Sequence, residues 1–181
     1  MDPEIKQHFK ELEAEDKTVQ YEAFQALLQV TKSEVTWAYE VWDELVKGLT
    51  STNNHTRSRC AQLLSQLAIS DPEKRILVDF PKLWAVTKDP KFVTARHSLQ
   101  SIWRVGLAGE GQKEMVLDHF AARFEQCSEE KNGTLIRSDI LQSLRYLYEE
   151  VKQQEIKERA LLLIDFVDDA KYQKKYRAIW K

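Results

Sequence analysis

The chain has 181 residues, 43% hydrophobic and 31% charged, with a net charge of −2. That size predicts one domain over residues 1–181, burying about 70% of the surface of its unfolded chain. The balance excludes a disordered or collagen-like polymer, and no apolar run nears the roughly 18 to 20 residues that span a bilayer.

Abundant helix formers, with five glycines and four prolines, predict an all-α fold. The first 17 residues are too polar for a signal peptide, and a cytoplasmic location is expected. In chain order, Asp2 and Pro3 predict a helix over 3–15 that buries only Ile5, Phe9 and Leu12. A helix over 17–31 turns Val19, Ala23, Phe24, Leu27 and Val30 inward. Ser33 caps a helix over 34–50, whose stripe is Val35, Ala38, Val41, Trp42, Leu45 and Leu49. Trp37 falls off that stripe, so it is expected either to be exposed as a partner contact or to touch the opening helix.

The polar run 51–54 leads into a helix over 54–69. Asp71-Pro72 predicts the next helix start, and Pro81 predicts a break or kink within it. Asp89-Pro90 opens a helix over 91–107, ended by the glycine-rich stretch 106–111. A helix over 112–128 precedes the Asn132-Gly133 turn. A helix over 134–150 follows, and residues 153–181 form a C-terminal cap of two helices. Its last eleven residues, KYQKKYRAIWK, carry five basic side chains and no acid. They are expected to cover the last repeat with Tyr172, Tyr176 and Ile179, or to extend a binding surface.

Four of these helices share one grammar. With Gln20, Arg57, Arg96 and Arg137 as anchors, the third following position is Ala23, Cys60, Leu99 or Ile140. The seventh is Leu27, Leu64, Trp103 or Leu144, and the fifth is always polar: Gln25, Gln62, Ser101, Gln142. Cys60, Leu64, Leu99, Trp103, Ile140 and Leu144 are therefore expected in the core. The anchor spacing suits paired-helix repeats that bury their faces by stacking. Cys60 and Cys127 are expected as buried, reduced thiols.

The stretches DPKFVTARHSLQSI and NHTRSRCAQLLSQL resemble the HEAT-repeat family, in which such an arginine-bearing helix is the second of each pair. The resemblance covers most of 17–167. It implies a right-handed α-solenoid of about four to five stacked antiparallel pairs, with the anchor helices (17–31, 54–69, 91–107 and 134–150) along a concave side.

Phosphate loops, CxxC and HExxH patterns are absent, the four histidines are scattered, and no metal or small-molecule cofactor is expected. The informative feature is charge placement. Over 17–31, 54–69, 91–107 and 134–148 there are eight basic residues against Glu22 and Asp139, a net +6 in a chain of net −2. Arg57, Arg96 and Arg137 fill the anchor slot, where a structural role is expected. Arg59, Arg104 and Arg145 stand on the polar face with Gln62, His97, Ser101, Asp139 and Gln142. These eight form the candidate ligand-binding set. Guanidinium and amide groups along a groove suit phosphate or carboxylate. The expected function is a non-enzymatic scaffold whose concave basic groove holds a nucleic-acid backbone or an acidic protein segment. The alternative is a HEAT-like DNA glycosylase acting on alkylated bases, with Asp139 as its acid.

Overall fold

The computed structural model describes residues 1–181 and contains helices alone, ten α-helices and two 3-10 segments. No helix is long and apolar enough to cross a membrane. The chain divides into two units, residues 1–98 and 99–181. In both, acid and amide side chains start helices by taking up orphan first-turn amides: Asp2 accepts from Glu4 N, Asp16 from Thr18 N, Asn53 from His55 N and Asp169 from Lys171 N, all at 2.7–2.9 Å.

The first unit contains α1 (Pro3–Glu11), α2 (Lys17–Val30), α3 (Ala38–Gly48), α4 (Asn54–Leu67), α5 (Arg75–Val86) and most of α6 (Phe92–Leu99). Leu27, Trp42, Leu63, Leu64, Leu67, Ile76 and Leu83 are wholly buried. Burying the Trp42 indole requires an acceptor for its N–H, and Asp79 of α5 supplies one at 3.0 Å. Trp37 is buried edge-on against Phe9 of α1, ring centres 5.8 Å apart, which removes the exposed partner contact from the two expectations. Val30, expected inward, is 37% exposed at the last turn of α2.

Two features of α5 differ from expectation. The helix begins at Arg75 rather than at Asp71-Pro72, because Lys74 adopts a left-handed conformation, φ 56°. Asp71 still serves as a cap, accepting from Ile76 N at 2.7 Å while Tyr39 Oη donates to its other oxygen. Pro81 lies inside a continuous helix. Proline denies a hydrogen bond to the carbonyl four residues back, here Leu77, and both residues are on the exposed side, where water can serve that carbonyl.

The expected helix over 91–107 is also revised. It stops at Leu99, and Ile102–Ala108 winds as a 3-10 segment. Three residues per turn place Ile102 and Val105 in one row, both wholly buried. Trp103, four residues after Leu99, would share its inward face in an α-helix. The tighter winding turns it away, and it is half-buried rather than core.

The second unit adds α7 (Glu110–Gln126), α8 (Gly133–Val151), α9 (Gln154–Asp165) and α10 (Ala170–Ile179). Val116, Phe120, Ile140, Leu141, Leu147, Ile156, Ala160 and Ile164 have no exposed surface. Gly106 packs against Leu147, and Gly133 fits where a Cβ would lie 2.1 Å from the Cys127 carbonyl oxygen. On α10 the buried pair is Tyr176 and Trp180, four apart, rather than Tyr172 and Ile179. Tyr176 meets Phe124 and donates to Thr134 O at 3.1 Å, and Trp180 lies against Tyr148. The basic terminus is thus fastened to α7 and α8.

Cys60, Leu64, Leu99, Ile140 and Leu144 are all buried as expected. Replacing Leu99, 2% exposed, by alanine should cost about 2–5 kcal/mol in a urea melt. Gly133→Ala should cost about 1–3 kcal/mol, because its clash is with backbone that has no rotamer to change. Truncation after Asp169 should lower the melting temperature, since it strips Tyr176 and Trp180 from the core.

Candidate functional site

The anchor slot holds the helix to the turn before it. Arg57 Nη1 donates to Ser51 O at 2.7 Å, six residues back, and Gln20 Nε2 donates to Ala14 O, also six back. Arg137 Nε donates to Phe124 O at 2.9 Å and lies 4.7 Å over the Phe124 ring. Arg57 further grips Asp89 with two bonds, Nε to Oδ2 at 2.6 Å and Nη2 to Oδ1 at 3.0 Å. Asp89 also caps Lys91 N at 2.8 Å. The Arg57 guanidinium holds the Asp89 carboxyl below the usual carboxylate range.

Of the polar-face arginines, Arg59 is tied inward. Its Nη1 donates to Leu12 O at 3.0 Å and its Nη2 to Gln20 Oε1 at 2.7 Å, so it fastens the end of α1 to α2. Gln62 donates to Ser58 O and Oγ at 3.3 and 3.2 Å, and Ser58 Oγ lies 3.5 Å from Nδ1 of the exposed His97. In the first unit, then, Gln62 and His97 meet through Ser58, while Arg59 serves the opening helix.

In the second unit, two contacts join the 99–108 segment to one stripe of α8. Gln100 Nε2 donates to Asp139 Oδ1 at 2.9 Å. Trp103 meets Tyr146, ring centres 5.7 Å apart and tilted by 44°. Asp139, Gln142, Tyr146 and Glu150 share this stripe because they are three and four residues apart. Asp139 is buried, Ser101 and Gln142 are half-buried, and Tyr146 is 45% exposed. The Arg104 guanidinium lies 5.1 Å over the Trp103 ring. Burial pulls its pKa down, and Glu150 acts the other way. Arg145 bonds Glu149 at 2.7 Å and sits 5.6 Å over Trp180, which makes it part of the α10 attachment.

Sequence reasoning passed over Gln100, which holds Asp139, and Tyr146, which extends the Trp103 surface. Tyr146 carried a readable signal: it stands seven residues after Asp139 and four after Gln142, on the same helical face. No group of three or more His, Cys, Asp or Glu side chains is placed to hold a metal ion. Burial raises the Cys60 thiol to about 11, so at neutral pH it is a thiol rather than a nucleophilic thiolate.

The Arg57–Asp89 bond makes a pH prediction. Because the folded carboxyl titrates below its unfolded value of about 3.9, its stabilisation is complete above that value and is lost as pH falls through the folded pKa. Asp89→Asn should therefore destabilise the protein at pH 7 and make stability fall less steeply below about pH 4, as read from urea melts across that range. Comparison with known proteins finds no matching family model, no matching curated protein and no matching solved structure.

Proposed function

We propose that the protein is a non-enzymatic binding module for an anionic partner, nucleic acid ahead of an acidic protein segment, built on HEAT-like helix pairs in a right-handed α-solenoid of about four to five pairs. The bond from anchor slot to preceding turn, made six residues back by both Gln20 and Arg57, supports the repeat reading, and Arg137 reaches instead to Phe124 in the last turn of α7. The observation that carries the function is the Trp103–Arg104–Tyr146 cluster. It sets a guanidinium on an aromatic ring beside an exposed tyrosine. Such a surface offers nucleobases a stacking face and phosphate a charge that is already oriented. Nucleic acid is placed ahead of an acidic peptide because phosphate and carboxylate would use the guanidinium alike, whereas the tyrosine face adds binding energy for a base.

Asp139 is buried and bonded by Gln100, which favours binding over the glycosylase alternative, where that acid must face a base. Arg59, Arg104 and Arg145 all make internal contacts, so each arginine variant is read for stability in a urea melt as well as for binding. The discriminating variants are Arg104→Gln and Tyr146→Ala. A labelled single strand, duplex DNA and RNA should be titrated at two salt concentrations. Single-strand affinity should fall with salt by a log–log slope of about −0.7 per phosphate contact, and Tyr146→Ala should cost about 1–3 kcal/mol of binding. Arg104→Gln should flatten the slope by about one contact. A wild-type protein that binds none of the three at low salt would overturn this function.

A further inference from the structure

A second feature lies in the first unit and has the opposite sign of charge. A cleft of about 610 Å³ opens between α1, α3 and the start of α4. Phe9 and Leu12 line one wall, Val41 and Leu45 the other, with Cys60 between them. No residue of α1 is fully buried, and Phe9 and Leu12 are only half-covered. The walls are nonetheless held in place. Phe9 is pinned on Trp37, Arg59 Nη1 bonds Leu12 O, and α3 comes so near α4 that a Cβ on Gly48 would lie 2.3 Å from Cys60 Sγ. This is a formed apolar groove, not a gap left by loose packing.

We propose that this cleft receives a cationic amphipathic helix from a partner protein. The rim sets the charge: Glu13, Glu40 and Glu44 line it against Lys47. Glu40 accepts from the Met1 amine at 2.6 Å, while Glu13 and Glu44 are exposed. An apolar floor with a negative rim complements a helix whose leucine-like stripe is flanked by lysine or arginine. The walls set the shape. Phe9 and Leu12 are three apart, and Val41, Leu45 and Gly48 are four and then three apart, a row about 10 Å long, or two helical turns. Two such rows side by side offer a groove for the ridge of a third helix. The partner is distinct from the anion of the second unit, so either proposal can fail without the other.

The test uses the intact protein and three labelled synthetic peptides of about four turns. These are an amphipathic leucine–lysine helix, its leucine–glutamate counterpart, and a scrambled leucine–lysine sequence without helical periodicity. Anisotropy gives affinity. The rate at which methyl methanethiosulfonate modifies the Thr50→Cys variant, at an exposed position on the cleft rim, followed by peptide mapping, reports the place. The leucine–lysine helix should bind saturably and slow modification of the Thr50→Cys variant severalfold. Glu13→Lys with Glu44→Lys, at two exposed positions, should weaken that helix by about tenfold and favour the leucine–glutamate one. Equal binding of the scrambled peptide, unchanged affinity in the charge-reversed protein, or no protection of the Thr50→Cys variant would overturn the proposal. So would a dimer in sedimentation that the charge reversal dissociates, or an alkylammonium surfactant that protects the Thr50→Cys variant where the peptide does not.

Discussion

The bond from an anchor-slot side chain to the carbonyl of the preceding turn is the constraint from which the rest follows. An interhelical turn leaves carbonyls without helical partners, and a buried one costs free energy unless it is bonded. Arg57 meets that need at Ser51 and Thr52 and Gln20 at Ala14, while Arg137 bonds the Phe124 carbonyl in the last turn of α7. Once the turn is fixed, the direction of the next helix is fixed, and with it which side chains reach the core. Arg57 does more than its counterparts, because its remaining nitrogens take both oxygens of Asp89, which also accepts from Lys91 N just ahead of α6. A bidentate guanidinium pair constrains angle as well as distance, which a lysine at this position could not do.

The core of each unit was largely legible in the sequence, and the reason is periodicity. Leu27, Leu64, Leu99, Ile140 and Leu144 fall at helical spacing from the anchors and are buried as that spacing requires. Periodicity fails where the winding changes. A count that assumes an α-helix puts Trp103 in the core, and the 3-10 turn that begins at Ile102 voids the count. Nothing local announces that change, since Ile-Trp-Arg-Val is compatible with an α-helix. The tight seat of Gly106 on Leu147, more than forty residues on, is a tertiary contact that no window of sequence contains.

The candidate site was legible only in part. Charge placement pointed to arginines on polar faces, but arginine has five donors and a long stem, and sequence does not say whether they turn outward or back. Arg59 turns back, to Leu12 and Gln20, and Arg145 lies down on Trp180. Arg104 stays beside an aromatic surface whose second half, Tyr146, belongs to another helix. The acidic cleft of the first unit had no signal at all, because Glu13, Glu40 and Glu44 come from separate stretches of chain that read singly as solvated surface.

The bonds that hold helix to helix have a further consequence for how the chain comes to be folded. Tyr39 with Asp71, Trp42 with Asp79, Arg57 with Asp89, Lys113 with Gln153 and Tyr176 with Thr134 join residues 32 to 42 positions apart. Closing a loop of that size costs little more than closing a shorter one, since the entropy grows only with the logarithm of length. No step among these contacts waits for distant ends to meet. A helix can dock on its neighbour as soon as that neighbour has formed, which is the topology of a quickly folding chain.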